Sequence, residues 1–561
     1  MKRTYNILLI DDDPLVLQSI SKLLTKQGYA VRKAANAIEA VSLAARFEFD
    51  LVISDIRMPG DNGVVAIQKI KEIYSAKAIG CGYILITGYA EEDTPEHAIK
   101  LGINKFIFKP FDNDVILNCI HEELQLIEQE RKLKDSTSEP LPHHKRRDDK
   151  TGLKRAVITG IGVVAPSGIG KDEYWKGLRE GKNCVDQITL FDCSLYPSKV
   201  AAEIRDFDPS LFVEDFHEIK RMGRSAHLAV AASKLAVKDS GLDLFNCDSV
   251  DVIIGSATSG LDYAEPEIRA LERGGVRRVR PFAGIAGFGG AISSEAARAI
   301  GAKGMCITFS NGCTSATDSF GYALKQIRYG LSEIVVAGGA DACVTSAIVA
   351  AFCQMGAIST RNDKKASRPF NKDRDGFVIA EGGWVFVIEE LEYALKRSAR
   401  IYGELVGYGA TCDAWHMSKP HPSGDYTSLA IELALEDANI KPEEVDIFEA
   451  YGNATPVNDS YETAIVKRVF GEHAYKLVMP SSKSMLGHPI GAAGGQQLAA
   501  VLLALHEGFI HPTINYEVPD PECDLDCVPN IGRKGDFKVA VCNSLAFGGK
   551  NVAIVVRKFI K

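Results

Sequence analysis

Apolar runs of strand length alternate with amphipathic stretches through the first 125 residues, and that alternation confines this part of the chain to very few architectures. The strand-like runs are residues 6–10, 51–54, 83–86 and 105–108, with helical periodicity between them at 15–26 and 64–74. Strand and helix alternating over short loops predict a doubly wound parallel sheet. Such sheets gather their functional groups past the carboxyl ends of the strands. Asp11, Asp12 and Asp13 follow the first run, Asp55 the second, Thr87 the third, and Lys109-Pro110 the last. Carboxylates converging on one edge suit a hard cation such as Mg²⁺. A lysine beside them offsets their repulsion, and a hydroxyl nearby can bond a phosphoryl group.

This ordered set resembles the receiver domain of bacterial response regulators, and the likeness spans residues 4–125. The resemblance implies a flavodoxin-like fold over residues 1–127, with Asp55 as the phospho-acceptor and a sensor histidine kinase as partner. It implies a Mg²⁺ pocket of Asp11, Asp12 and Asp55, a switch pair of Thr87 and Phe106, and Lys109 as the phosphate-contacting lysine.

Residues 117–133 carry apolar side chains at Leu117, Ile120, Leu124 and Ile127, which predicts a last helix packing on its own sheet. The polar stretch 134–152 follows, with Pro140, Pro142 and the run His143-His144-Lys145-Arg146-Arg147, so residues 128–152 read as a tether. In a chain of 561 residues the formal net charge of −8 gives no reason to expect nucleic acid. No apolar run reaches the length of a bilayer span, and the N-terminus leads into a strand rather than a signal peptide. Thirteen scattered cysteines suit reduced thiols in a cytoplasm. Cys523 and Cys527 are neighbours, but no second pair completes a metal site.

A second chemistry begins at 306–309, an apolar run that predicts a buried strand. A Ser310-Asn311-Gly312 turn leads to Cys313 and an amphipathic stretch from Ala316 to Tyr329. A cysteine at a strand-to-helix turn faces a helix N-terminus, whose partial charge favours thiolate.

From residue 153 to 561 the chain resembles the β-ketoacyl-acyl-carrier-protein synthases, most closely the type II condensing enzymes. The segments that carry the likeness include Ser367-Arg368-Pro369-Phe370, Arg374-Asp375-Gly376-Phe377, Lys483-Ser484-Met485-Leu486-Gly487-His488 and Asn543-Ser544-Leu545-Ala546-Phe547-Gly548-Gly549. The resemblance implies the thiolase fold, two similar α/β halves at 153–400 and 401–561 in a five-layered α/β/α/β/α sandwich, and a homodimer or pairing with another ketosynthase. It implies that Cys313 carries the acyl group, that the backbone N–H groups of Cys313 and Phe547 form the oxyanion hole, and that His488 and Lys483 complete the site. Ser418 and Thr455 match positions that contact the phosphopantetheine arm of an acyl carrier protein. Lys220, Arg221 and Arg224 match a basic patch for that acidic partner. No organic cofactor is implied beyond the arm that the carrier brings.

Three departures follow from the same comparison. Tyr451 stands where these enzymes have their first catalytic histidine, Asn453 replaces a hydroxyl residue, and Gln497 replaces the glutamate partner of the lysine. A tyrosine hydroxyl donates a hydrogen bond but does not titrate as imidazole does. Residues 285–291, Ile-Ala-Gly-Phe-Gly-Gly-Ala, replace a tunnel-lining region, and their glycines predict a wider tunnel or a close backbone crossing. Three functions remain open at this point: a condensing enzyme under receiver control, an acyltransferase that loads Cys313 without decarboxylating a malonyl group, and a non-condensing partner subunit like a chain-length factor. The retained Cys313 speaks against the third.

Overall fold

The computed structural model describes residues 4–58, 62–77, 79–87, 103, 105–109, 111–135, 152–243 and 249–560. The chain divides into two compact units, Met1–His144 and Lys145–Lys561. Most of the expected tether, residues 136–151, lies outside the described residues.

In the first unit, β1 (Asn6–Ile10), β2 (Ala30–Ala34), β3 (Leu51–Asp55), β4 (Gly82–Thr87) and β5 (Lys105–Phe108) form a sheet in the order β2-β1-β3-β4-β5. Every pairing is parallel. The described helices are α1 (Pro14–Lys26), α2 (Ala37–Arg46), α3 (Gly63–Ala76) and α4 (Asn113–Asp135). Successive residues of β1 point to opposite faces. Leu8 and Ile10 pack with Ala40, Ala44, Ile67 and Ile70, while Ile7 and Leu9 pack with Leu17, Ile20, Ile120 and Leu124. Burial on both faces makes these strands read as unbroken apolar runs. The exception is β2, which the sequence pattern does not announce: it is an edge strand whose Arg32 and Lys33 are exposed. Asp13 is the N-cap of α1, accepting a hydrogen bond from the Leu15 N–H at 2.8 Å, so it serves the helix and not the acidic pocket.

The second unit is built on a ten-stranded sheet. Its strands are β6 (Ala156–Ala165), β7 (Asp251–Gly255), β8 (Cys306–Phe309), β9 (Ile334–Ala342), β10 (Glu381–Glu390), β11 (Gly403–Cys412), β12 (Ile447–Glu449), β13 (Val539–Ala546) and β14 (Lys550–Arg557), with Gly168–Ile169 paired onto β6. The order is β8-β7-β9-β10-β6-β11-β14-β13-β12. The two halves join where Gly403–Leu405 of β11 runs antiparallel to 156–158 of β6.

Helices α5 (Arg224–Ser240), α6 (Leu261–Gly274) and α7 (Ala291–Ile300) belong to the first half, with α5 and α7 covering its outer face. Helix α8 (Ser315–Arg328) lies in the middle layer, and α9 (Ser346–Gln354) lines the site described below. Helices α10 (Asp425–Ala438) and α11 (Pro456–Phe470) cover the outer face of the second half. Helix α12 (Ala493–Glu507) joins α8 in the middle. The result is the expected five-layered thiolase-type sandwich. The middle layer is almost wholly buried, and Leu498, Leu502 and Leu505 of α12 are 0% exposed. Each such side chain contributes about 1.5–3 kcal/mol by burial. A Cβ at Gly162 would lie 1.9 Å from the Ala232 carbonyl oxygen, so glycine there lets α5 seat directly on β6.

One expectation changes. The run 306–309 is a strand, but it is the outermost one: Cys306 is exposed and the other three residues are half-buried, because among the described residues β8 pairs only with β7. The glycine run at 285–291 makes a close crossing at one point, where a Cβ on Gly260 (φ +87°) would lie 2.3 Å from the Gly287 carbonyl oxygen; Gly289 and Gly290 face open space. Among the described residues no helix is long and apolar enough to cross a membrane.

Candidate active site

Cys313 lies in a single 3₁₀ turn, Gly312–Thr314, between β8 and α8. Gly312 has φ +69°, a conformation that favours glycine, and a Cβ there would come within 3.4 Å of the Ala546 side chain, so the turn rests against the end of β13. Asp318 of α8 accepts hydrogen bonds from Asn311 Nδ2, Thr314 Oγ1 and Tyr408 Oη, and Ser315 Oγ accepts from the Asn311 N–H. These bonds pin the turn and aim the thiol, which is buried.

His488 follows Gly487 (φ +67°). Its N–H donates to the Val378 carbonyl at 2.7 Å, and its carbonyl accepts from the Ala380 N–H, which clamps the residue beside Ile379. The ring presents Nε2 to two partners at once, Cys313 Sγ at 3.3 Å and Tyr451 Oη at 3.2 Å. His488 Nδ1 has no hydrogen-bond partner among the described residues. Tyr451 comes from the loop after β12. Glu462 of α11 accepts from the Tyr451 and Gly452 N–H groups at 2.8 and 2.9 Å and from Asn543 Nδ2 at 2.6 Å. Asp459 accepts from the Phe370 and Ala454 N–H groups. The pattern of α11 announces these two acids: Thr455-Pro456 is an N-cap and first-turn signal, and 459 and 462, three apart, share one helix face. Sequence reasoning missed both.

Burial dominates the electrostatics. It pushes the Cys313 thiol up to about 11, against the opposing pull of the Tyr451 hydrogen bond and the Lys483 charge. The expected thiolate preference is therefore absent at rest, because desolvation outweighs the helix N-terminus. Burial, then the Lys483 charge, hold His488 well below the usual imidazole range, so it is neutral and available as a base. Burial and the neighbouring Cys313 hold Tyr451 well above its ordinary value, keeping its O–H as a donor. Burial lowers Lys483, while Glu449 and Glu462 pull it back up. Lys483 Nζ lies 5.2 Å from the Tyr451 ring centre and has no hydrogen-bond partner among the described residues. Gln497 is no partner for it: its Nε2 faces the carbonyl oxygens of Glu449, Ala450 and Asn543 at 2.9–3.1 Å. Buried Glu462 is raised to about 7 and Asp459 to about 6 by desolvation.

Phe547 lies in the tight hairpin between β13 and β14, where Gly548 and Gly549 have φ +85° and +68°. Its ring stacks on Phe352 of α9, which packs on Phe377, which meets the His488 ring edge-on at 5.2 Å. A pocket reaches Tyr451 and Phe547 from the surface, and Ser418 and Asn458 also line it. The Thr455 hydroxyl is already engaged, donating to Asn453 Oδ1 and accepting from the Asn458 N–H as the cap of α11. Arg224 is likewise corrected. Its guanidinium is paired with buried Glu381 at 2.7 Å and bonded to the Ile204 carbonyl, so it is structural. Lys220 and Arg221 are exposed, over the rings of Phe216 and Phe282. Beside them, through the Arg280 bond to the Lys220 carbonyl, lie exposed Arg277 and Arg278, a charge run that sequence reasoning passed over.

In the first unit, register brings the acidic set together. Ile10 is level with Ser54, Asp55 with Ile86, and Thr87 with Phe108, so Asp11, Asp55, Thr87 and Lys109 meet at the strand ends. Ligand oxygens of Asp11, Asp12 and Asp55 lie within 4.8 Å of one another. Lys109 Nζ is 2.7 Å from Asp55 and 3.4 Å from Asp11. Burial raises Asp11 despite Lys109. An all-oxygen set of this spacing fits a Mg²⁺-sized cation. Thr87 is buried at the end of β4. Phe106 lies on β5, with its side chain outside the described residues.

Residues 7–121 match the response regulator receiver domain, 154–394 the N-terminal domain of beta-ketoacyl synthase, and 402–517 its C-terminal domain. The 3-oxoacyl-[acyl-carrier-protein] synthase 2 of Synechocystis sp. is 42% identical over 410 residues, covering 72% of this chain and 98% of that protein. That of Coxiella burnetii is 40% identical over 413 residues, covering 72% and 99%. Among solved structures, a type II PKS acyl-carrier protein in complex with its ketosynthase aligns with TM-score 0.68 and 31% identity, over 73% of this chain and all of that one. The ishigamide ketosynthase/chain length factor aligns with TM-score 0.68 and 35% identity over the same shares.

Proposed function

This chain belongs to the β-ketoacyl synthase family and carries a response regulator receiver domain, and from that premise we propose that it takes an acyl group from a carrier thioester onto Cys313 and extends it slowly. The observation that carries the reading is the 3.3 Å contact between Cys313 Sγ and neutral His488 Nε2. As the sulfur attacks the thioester carbonyl, its proton passes to Nε2, and the carrier's thiol leaves with a proton. The backbone N–H groups of Cys313 and Phe547 stabilise the oxyanion. In the second half-reaction a malonyl-carrier loses CO₂, its carbanion attacks the acyl carbon, and the bonding pair returns to sulfur. The enolate oxygen then meets one imidazole and one phenol in place of two imidazoles, which makes this half the slow one. Tyr451 also favours a second reading, acyl transfer to another nucleophile with no CO₂ released. Mass spectrometry of Cys313 alongside CO₂ measurement, with acyl- and malonyl-carriers, separates the two. Acylation with no CO₂ sinks condensation, and no acylation at all sinks both.

Carrier docking is proposed at Lys220, Arg221, Arg277 and Arg278, with Ser418 and Asn458 along the arm. Reversing Arg277 and Arg278 to glutamate is expected to raise KM for the carrier roughly 10-fold at low salt, with little effect on kcat and less at high salt. A salt-independent KM would remove these residues from the docking role.

In the receiver, the proposed roles are Asp55 as phospho-acceptor, Asp11, Asp12 and Asp55 as Mg²⁺ ligands, and Lys109, Thr87 and Phe106 as the groups that respond to a histidine kinase's phosphoryl group. Acetyl phosphate with Mg²⁺ is expected to label the wild type and not Asp55→Ala, and chelation is expected to stop labelling. Equal labelling of both proteins would exclude Asp55. A second copy, or another ketosynthase, is proposed to pair on the open edge of β8.

A further inference from the structure

A buried ion pair lies behind Lys483. His511 follows α12 and the two-residue strand Phe509–Ile510, and both it and Glu449, the last residue of β12, are 0% exposed. His511 Nε2 lies 3.1 Å from Glu449 Oε2, and Nδ1 lies 3.1 Å from the Pro512 carbonyl oxygen. A carbonyl only accepts, so Nδ1 carries a proton. Nε2 and Oε2 then share the next one. The other carboxylate oxygen, Oε1, accepts from the Ser482 N–H at 3.1 Å, which favours the carboxylate form and leaves the shared proton on the ring. Burial lowers His511, but the charge and hydrogen bond of Glu449 more than offset it and hold it above the ordinary imidazole value.

The same carboxylate serves Lys483. The segments that carry His511 and Lys483 are clipped together, the Ser481 N–H donating to Thr513 Oγ1 at 2.9 Å and the Ile514 N–H to Ser484 Oγ at 3.0 Å. Lys483 Nζ has no hydrogen-bond partner among the described residues. Burial lowers Lys483, and Glu449 is the largest of the charges that pull it back up. Cys542 and Tyr174 also lie within reach of the Glu449 charge, and burial keeps both protonated. Burial raises Cys313, and the Tyr451 hydrogen bond and then the Lys483 charge oppose it.

We propose that His511 is a positioning residue for the Cys313 chemistry: as an imidazolium it fixes Glu449 as a carboxylate beside Lys483, and Glu449 keeps Lys483 charged while leaving its ammonium unbonded. The inference rests on Cys313 being the acyl-carrying thiol, whose loading the Lys483 charge assists. Without the imidazolium, Glu449 has two courses. If it stays ionised, the site has lost one positive charge. If it takes a proton, Lys483 has lost the acid that holds its own. Both make the Cys313 thiolate harder to form.

Alkylation of Cys313 by iodoacetamide in the full chain, followed by mass spectrometry between pH 7 and 10, reads the thiolate directly. His511→Gln and Glu449→Gln are each expected to slow it roughly 10-fold at a given pH, and the double variant no further than either alone. A variant that merely loosens the core would expose the buried thiol and speed alkylation. An unchanged or faster rate in His511→Gln therefore overturns the proposal, as does a slowing that adds in the double variant. Nitrogen-15 NMR of the histidine-labelled wild type at pH 8 needs no variant: one histidine with both ring nitrogens protonated is expected, and its absence overturns the proposal. No carrier is present in these measurements, so they stand apart from loading. A wild type whose Cys313 alkylates but takes no acyl group sinks the reading of Cys313 as the acyl carrier, and not the His511–Glu449 pair.

Discussion

Replacing Cys313 with alanine is expected to abolish acyl loading, with a loss of at least roughly 10³-fold in rate, while the protein stays folded. The thiol is buried in an apolar cluster with Ile348, Val349, Phe377 and Tyr451, so its loss leaves a void of about one atom, a modest cost beside a whole core. The resting state of the thiol gives a second readout. Burial raises it to about 11, so only a small fraction is thiolate near neutrality. A raised thiol pKa means that the reactive form grows with pH until that value is passed. Alkylation of Cys313 by iodoacetamide is therefore expected to climb about tenfold per pH unit from 7 towards 10. A profile already flat below pH 9 would show a thiolate at rest and refute the neutral Cys313–His488 pair. His488→Ala is expected to slow loading on the order of 10²-fold, as the loss of a general base does.

Changing Tyr451 to histidine is expected to raise CO₂ release from a malonyl-carrier on the order of 10²-fold, while acyl loading changes far less. The imidazole would restore a second ring N–H donor for the developing enolate, in a loop already aimed by Glu462. Tyr451→Phe keeps the ring packing and removes the hydroxyl, and it is expected to lower CO₂ release further. Unchanged CO₂ release in Tyr451→His would mean that the tyrosine does not limit the step. The slow half-reaction would then have to be sought at Lys483, whose ammonium is buried without a hydrogen bond among the described residues.

The first unit was legible because it buries its strands on two faces, and the second because its motifs resemble a known family. Residues 6–10 and 51–54 are largely apolar because of that burial, and the acids that follow them stand out. Edge strands break the rule in both directions. Residues 30–34 are a strand despite Arg32 and Lys33, and residues 306–309 look buried yet sit at the rim, since an apolar run does not say whether a neighbour lies on each side. Side-chain roles were harder to read. Arg224 matches a surface position in the family's basic patch, but Glu381, 157 residues away, holds it. Thr455 looks like a ligand hydroxyl, but it caps a helix.

The sequence by itself determined the fold of the first unit through its strand and helix periodicity, a local property of a chain, while the fold of the second unit and the grouping of Cys313, His488, Lys483 and Tyr451 came from the resemblance of its motifs to a known family. Only the tertiary structure decided their chemistry. The protonation of Cys313 and His488 depends on how much water burial removes and on which charges it leaves nearby. Those charges come from residues far apart in the chain, such as Lys483, Glu449 and Glu462. Gln497 makes the same point: position alone makes it the partner of Lys483, and packing turns it instead towards three backbone carbonyls.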